Sequence, residues 1–431
     1  MVMRTLCLTS ANEAEVRKAL RRPTTNLAEI RQQILPILRA VRAEGDRALL
    51  HFTRELDHVS LARIRVPCDE IRRASERLPQ ELLAAIGVAR ANLAQFHKEE
   101  TESAGVRENT PGVYCWRETR PLDRVGLYIP GGTAALFSTA LMLVVPARLA
   151  GVREIALCSP PRPDGYVADS ILAVCSLMGV NEVYAVGGAQ AVAALAFGTE
   201  SVRKVDKIAG PGNVYVSAAK AEVSMDPDGA AIDMLAGPSE LLIIADDSCD
   251  PRFIAADLLS QAEHGSGSQV VLLTTSRRLL TTVSDELTRQ LAGLPRSPAA
   301  ADVLKYSVAV LVPTLSEAVH LANDYAPEHL SIQTENPQYW LRNIRNAGSV
   351  FLGPFAPETV GDYCSGTNHV LPTFGQARSH SGVSVRTFQK TLFIQQLTYE
   401  GLNRLRSAAS TMARAEGLEA HARSVEIRFQ T

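Results

Sequence analysis

Apolar positions in the first hundred residues recur at helical spacing. Residues 12–101 read as almost wholly helical. Thr25-Asn26 can cap a helix over 27–44, Gly45-Asp46 interrupts it, and a second run covers 47–55. A third covers 79–101, where Leu82, Leu83, Ile86, Leu93 and Phe96 form one stripe. From Arg124 the period changes. Short apolar runs at 124–129, 154–158, 182–186 and 205–208 predict strands, and each is followed by a helical run, at 139–150, 168–178, 189–197 and 214–223. Glycine turns stand at the junctions: Pro130-Gly131-Gly132, Gly187-Gly188 and Gly210-Pro211-Gly212-Asn213. Such strand–turn–helix units predict a parallel, doubly wound sheet.

A second series begins after Gly237-Pro238-Ser239. Strands are expected at 241–245, 269–274, 307–312, 330–333 and 349–352. Helices are expected between them, at 251–264, 278–291, 316–325 and 337–346. From Arg386 the pattern reads as helical again, over 387–397 and 399–416, with a short closing strand at 425–429. No low-complexity linker separates these parts, so one packed body is expected.

Composition narrows the class. A chain of 431 residues suggests two or three domains, and 46% hydrophobic with 21% charged residues is ordinary for a globular protein. A net charge of -2 gives no support for nucleic-acid binding. No run reaches the roughly 18 apolar residues of a membrane span. The opening residues lack the apolar run of a signal peptide, so a cytoplasmic enzyme is expected. The seven cysteines are scattered and form no CxxC pair, which fits reduced thiols, with Cys158 and Cys175 in the core.

Candidate chemistry falls at a few points. Gln261 and His264 are three apart on one face of a helix end, with Gly265 at the cap position. Such a pair can contribute to a divalent-cation site, since zinc accepts N and O ligands at about 2 Å. A helix end with two solvated polar residues gives the same pattern, so further ligands must come from elsewhere. Asp362, in the Pro/Gly-rich stretch 353–363, is a plausible carboxylate ligand, and His369 a polar loop residue. His421, near Glu416 and Glu419 where the last long helix ends, reads as a second nitrogen ligand or as an exposed tail histidine. Pro327 ends a helix and leaves Glu328 and His329 at a helix-to-strand joint, where they can serve as general base and water activator or stand as a solvated loop pair. Tyr128, Gln190 and Asn213 lie at or just past strand C-termini, where open α/β sheets bind ligands, and their convergence favours a dinucleotide.

Eight ordered motifs carry a resemblance that runs through nearly the whole chain. They are the stretches 128–132, 185–191, 210–213, Ala236-Gly237-Pro238-Ser239-Glu240, Ser260-Gln261-Ala262-Glu263-His264, Ala326-Pro327-Glu328-His329-Leu330, 367–373 and Glu419-Ala420-His421-Ala422. Together the sequence resembles the histidinol dehydrogenases. That resemblance implies zinc held by Gln261, His264, Asp362 and His421, and NAD contacted by Tyr128, Gln190 and Asn213. It implies histidinol contacted by Ser239, His329 and Glu416 and by the four metal ligands, with Glu328 and His329 moving protons. It further implies an α/β homodimer of two incomplete Rossmann-like, doubly wound domains with helical N- and C-terminal tails. The expected division is a tail at 1–22, a first domain at 23–126 with 238–380, an NAD-binding domain at 127–237, and a tail at 381–431 docked on the partner subunit. Only the stretch 224–229 looks less regular than the family pattern.

The implied reaction takes L-histidinol through L-histidinaldehyde to L-histidine with two NAD, zinc mainly orienting the substrate. Three other readings stand beside it. The first is a same-family dehydrogenase of another small alcohol, against which Glu416 argues as a partner for a cationic amino group. The second is a covalent route through Cys364. The third is a zinc- and nucleotide-binding protein without turnover, which an intact Glu328 and His329 disfavour.

Overall fold

Alternation along fully buried strands builds the two halves of the molecule. In the strand Glu240–Ala245, Leu241, Ile243 and Ala245 enter one apolar core while Leu242 and Ile244 enter another. Each fully buried leucine or isoleucine contributes about 1.5–3 kcal/mol. Both faces of such a sheet must therefore be covered, and helices cover them.

The computed structural model describes residues 3–22, 27–98, 105–131, 135–235, 237–265 and 267–430; the expected Thr25-Asn26 cap lies outside them. Among the described residues the strands are β1 (Arg4–Cys7), β2 (Arg107–Thr110), β3 (Val113–Pro121), β4 (Arg124–Tyr128), β5 (Glu154–Ser159), β6 (Glu182–Ala185), β7 (Lys207–Ala209), β8 (Ala231–Ile232), β9 (Glu240–Ala245), β10 (Gln269–Thr274), β11 (Val308–Leu311), β12 (His329–Gln333), β13 (Ser349–Leu352) and β14 (Gln389–Leu397). One parallel sheet has the order β1-β11-β10-β9-β12-β13 and a second the order β6-β5-β4-β7-β8. Each changes direction once, between β9 and β12 in the first and between β4 and β7 in the second. These are the switch points at which open α/β sheets leave a crevice. No described helix is long and apolar enough to cross a membrane.

Several expectations need correction. Residues 4–7, expected in a tail, form a strand parallel to β11. Residues 27–98 were grouped with 238–380, but their helices pack elsewhere. Leu27–Glu44 and Asp46–Leu56 lie on helices Gly188–Phe197 and Val214–Met225, and Cys68–Arg73 and Gln80–Lys98 lie on Asp169–Leu177 and Phe137–Leu149. They thus clothe the five-stranded sheet, and the expected boundary at 126/127 falls inside β4.

The expected helix at 387–397 is β14, paired antiparallel with β3 in a third sheet, β14-β3-β2. Its sequence, Gln-Lys-Thr-Leu-Phe-Ile-Gln-Gln-Leu, takes its structure from a partner far back in the chain, which local periodicity does not reveal. The expected strand at 425–429 is instead the end of helix Glu419–Glu426 and a short 3-10 turn, Ile427–Phe429. Arg414, on helix Tyr399–Ala415, binds both Glu419 and Glu426 and ties the two C-terminal helices together. The stretch 224–229 holds the end of helix Val214–Met225 and a turn.

Candidate active site

The acid–base pair is built where β12 starts. Helix Leu315–Tyr325 stops at Ala326, which is left-handed (φ 52°), and Pro327 cannot continue it. Glu328 and His329 follow, both buried. β12 pairs with β9, which sets His329 beside Glu240. The backbone of Glu240 then holds both side chains. Its N–H donates to Glu328 Oε2 at 2.8 Å, and its carbonyl lies 3.1 Å from His329 Nδ1. A carbonyl can only accept, so the bond requires the proton on Nδ1 and leaves Nε2 free to take one. Nε2 is buried, has no hydrogen-bond partner, and is 3.6 Å from Asp362 Oδ1. Glu240 is itself fixed. Its carboxylate is gripped by both arms of Arg22 and accepts the N–H of Phe374, and Arg22 stacks 3.9 Å above the Tyr325 ring.

Around this pair stand further buried polar groups. Gln261, in the last turn of helix Pro251–Ala262, is fully buried, and neither its amide oxygen nor its nitrogen has a partner. The stretch expected as a loop contains helix Glu358–Tyr363, so Glu358 and Asp362 share one face at i,i+4 spacing. Glu358 Oε1 is 3.2 Å from His329 Nδ1, and its Oε2 is unpartnered. His369 Nδ1 reaches the Asp362 carbonyl at 2.7 Å, and its Nε2 meets Thr139 Oγ1 at 3.1 Å, which joins the two sheets across the site. A cavity of about 300 Å³ opens onto Asp362 and Glu358, with His264, Arg296 and Gly131 also in its walls.

Low dielectric dominates the titration of these groups. Burial, with Glu240 and Asp362 adding like charge, pushes Glu328 well above the carboxylate range. Burial, with Asp362 and Glu328 nearby, does the same to Glu358. Burial pushes Asp362 up to about 7 and His329 down to about 3. His369 falls to about 4 for the same reason. Congested carboxyls beside a neutral imidazole and an unpartnered amide are what a divalent cation would relieve. Ligand atoms of His329, Glu358 and Asp362 lie within 4.8 Å of one another. The donor set therefore fits a cation that accepts nitrogen and oxygen.

The expected metal residues separate into two groups. Asp362 lies at the buried cluster, Gln261 is buried on helix Pro251–Ala262, which packs against helix Glu358–Tyr363, and His264 is exposed in the wall of the cavity that Asp362 lines. His421 lies outside the cluster, exposed on helix Glu419–Glu426, and Glu416 is exposed at the cap of the preceding helix. Those two helices pack chiefly on each other and on β14. Ser239 is half-buried immediately before Glu240. The sequence assigns no site role to Glu358, or to Glu240 beyond its place in a motif. Glu358 could have been found from its spacing to Asp362 after Pro357, a helix-start signal; no local feature marks the backbone role of Glu240.

Tyr128, Gln190 and Asn213 come together as expected, in one cavity of about 910 Å³ at the carboxyl ends of β4, β6 and β7. The Tyr128 hydroxyl accepts the Gly188 N–H at 3.1 Å, and burial pushes its pKa up to about 12. The Asn213 side chain caps helix Val214–Met225 through the N–H groups of Tyr215 and Val216. Gln190 is buried, with its Oε1 unpartnered. The glycine turn before Asn213 is tightly set. Gly210 has φ +128°, and a Cβ there would lie 2.2 Å from the Tyr128 carbonyl. Asp233 accepts the Gly210 N–H at 2.8 Å, while the buried Lys220 donates to the Gly210 carbonyl at 2.9 Å and pairs with Asp233. Gly131 lines both this cavity and the smaller one, so the two adjoin.

A doubly wound α/β frame, a nucleotide-sized cavity at its switch point and an adjoining cluster of buried ionisable groups define an α/β protein of the ligand-binding, doubly wound class. Comparison with known proteins refines this. The family model for histidinol dehydrogenase matches residues 20–429. A histidinol dehydrogenase of Vibrio parahaemolyticus is 51% identical over 429 residues, with 99% of each chain covered. One from Escherichia coli is 48% identical, with 97% of this chain and 96% of the relative covered. The crystal structure of histidinol dehydrogenase from Elizabethkingia anophelis superposes with a TM-score of 0.95 at 43% identity, covering 100% of this chain and 98% of that one. The chain belongs to the histidinol dehydrogenase family, a family of oxidoreductases.

Proposed function

We propose that the protein is a cytoplasmic, zinc-dependent L-histidinol dehydrogenase. It oxidises L-histidinol through L-histidinaldehyde to L-histidine with two NAD, in the final steps of histidine biosynthesis. The observation that carries this reading is the Glu328–Glu240–His329 arrangement: a buried imidazole with its free nitrogen exposed to the cluster, and a carboxylate held beside it by the same peptide unit.

His329 Nε2 takes the proton of the substrate hydroxyl as hydride leaves the carbinol carbon. Glu328 then accepts a proton from water as that water's oxygen bonds to the aldehyde carbon, and protonated His329 returns its proton to the aldehyde oxygen, giving the hydrate. His329 takes a hydroxyl proton of the hydrate while the second hydride leaves, giving the carboxylic acid, which loses its remaining proton to solvent and becomes the carboxylate. Between the two oxidations His329 must release its proton, and its folded-state preference for the neutral form favours that release. Tyr128, Gln190 and Asn213 would hold NAD, which would supply the hydride acceptor for each oxidation. Gln261, His264 and Asp362, completed by His421 from a second subunit, would hold zinc, which supplies a fixed point for the substrate's nitrogens. Ser239, with Glu416 of the partner subunit, would complete the substrate contacts, the carboxylate suiting the cationic amino group.

The test is stoichiometry. About two NADH should form per histidinol consumed if a two-step oxidation at one site holds. A value near one, with aldehyde accumulating, would refute the second half-reaction.

A further inference from the structure

One acidic side chain in the larger cavity has no task in the reaction above. Asp57 stands at the end of helix Asp46–Leu56 and lines the cavity with Tyr128, Gln190 and Asn213. Its Oδ2 is buried and has no hydrogen-bond partner. Gln190 Oε1, in the same walls, is likewise unpartnered. Buried acceptors left unsatisfied are costly, so a ligand that offers donors is favoured here. A pyrophosphate offers none and fits the helix N-termini at Gly188 and Asn213 instead. The vicinal hydroxyls of a ribose offer two.

The layout of the cavity says which ribose. Gly131 is shared with the smaller cavity, whose Glu358 and Asp362 carboxyls lie 3.2 and 3.6 Å from the His329 ring, so the nicotinamide end belongs there. Asp57, with Gln33 and Ile37, belongs to the wall built by helices Leu27–Glu44 and Asp46–Leu56, none of whose residues lines the smaller cavity. The cation in this cavity, Arg162, is engaged by Asp164 at 2.6 Å and is half-exposed. It is not held in reserve for a 2′-phosphate.

We infer that Asp57 accepts the hydroxyls of the adenosine ribose and thereby selects NAD over NADP. This rests on the NAD reading above. A 2′-phosphate removes one donor and brings negative charge against a half-buried carboxylate, which rejects it.

Two measurements test the assignment on the zinc-loaded, full-length protein and its Asp57→Asn variant. Steady-state kinetics should show the KM for NAD rising about 10- to 100-fold, as expected for loss of a charged hydrogen bond, with kcat nearly unchanged. The ratio of NADP to NAD efficiency should rise about tenfold or more. Calorimetric titration with ADP-ribose and 2′-phospho-ADP-ribose should show the same change of preference without turnover. If both the KM for NAD and the preference stay within about twofold of the parent, the role of Asp57 is overturned. A parent protein that neither binds nor reduces NAD would overturn the NAD reading itself, a separate outcome. Should Asp57→Asn not fold, Asp57→Glu keeps the charge and should still reject NADP; equal use of both cofactors by that variant would sink the inference.

Discussion

At the scale of the residue, one peptide unit does most to organise the chemistry. The N–H and C=O of Glu240 hold Glu328 and His329 in complementary protonation roles. Substituting Glu328→Gln keeps the hydrogen-bonding shape but removes the carboxylate proposed to activate water. Histidinol oxidation is expected to fall by about 10²–10⁴. Reduction of histidinaldehyde to histidinol needs no hydration and should lose far less; equal losses in both assays would make Glu328 structural. The raised carboxyls also set a pH dependence. In the metal-free fold Asp362 keeps its proton up to about 7, against 3.8 for its ordinary value. The folded state therefore binds more protons than the unfolded chain between these values. That contribution is complete below the ordinary carboxylate pKa and is lost as pH rises through about 7. Below about 6.5 the neutral His329 and His369 act in the opposite direction, so the Tm of metal-free protein should decline from about pH 6.5 to pH 8. Zinc bound at the proposed site would displace those protons, so its stabilising effect should grow over the same range. Thermal scans with and without zinc would show this, and a metal-free Tm that climbs over that range would contradict it.

At the scale of the element, the feature hidden from local periodicity is the three-stranded ribbon. Its hairpin turn carries Gly112 at φ +80°, whose carbonyl accepts the Thr398 N–H at 2.9 Å. Thr398 in turn caps helix Tyr399–Ala415 through the Gly401 N–H. A Cβ on Gly112 would lie 2.4 Å from Thr398 Oγ1. Gly112→Ala is therefore expected to cost about 1–3 kcal/mol locally, from backbone strain and the displaced cap. Hydrogen exchange should quicken in β14 and the following helix and stay unchanged in β9 and β10. Uniform protection across all of these would mean that the turn does not anchor the C-terminal arm.

At the scale of the whole molecule, that arm is the unfinished part. Phe393, Tyr399, Met412 and Ile427 expose large apolar surfaces, and the last two helices find little cover on the parallel sheets of their own chain. His421 and Glu416 ride on them, outside the buried cluster. The proposed homodimer would bring both residues to the partner's site. Glu328→Gln and His421→Asn protomers, each inactive alone, should then complement when refolded as an equal mixture. Half the dimers would be hybrids with one intact site in two, so about a quarter of the parent activity should return. No recovery, with hybrids confirmed by mass, would mean that each site is built within one chain.

The sequence by itself determined the two α/β series, because buried parallel strands write their own apolar runs and glycine marks their turns. It also determined the family, through eight ordered motifs, and the convergence of Tyr128, Gln190 and Asn213, since strand ends are positions that periodicity can place. Tertiary structure alone decided what depends on partners distant in the chain. β14 is a strand only because β3 lies beside it. Helices 27–98 clothe the five-stranded sheet because their apolar faces match its two cores. Glu358 joins the cluster because a short helix turns it toward His329. Glu240 acts through its backbone, whose N–H and C=O are common to nearly every residue and become specific only where β9 meets β12.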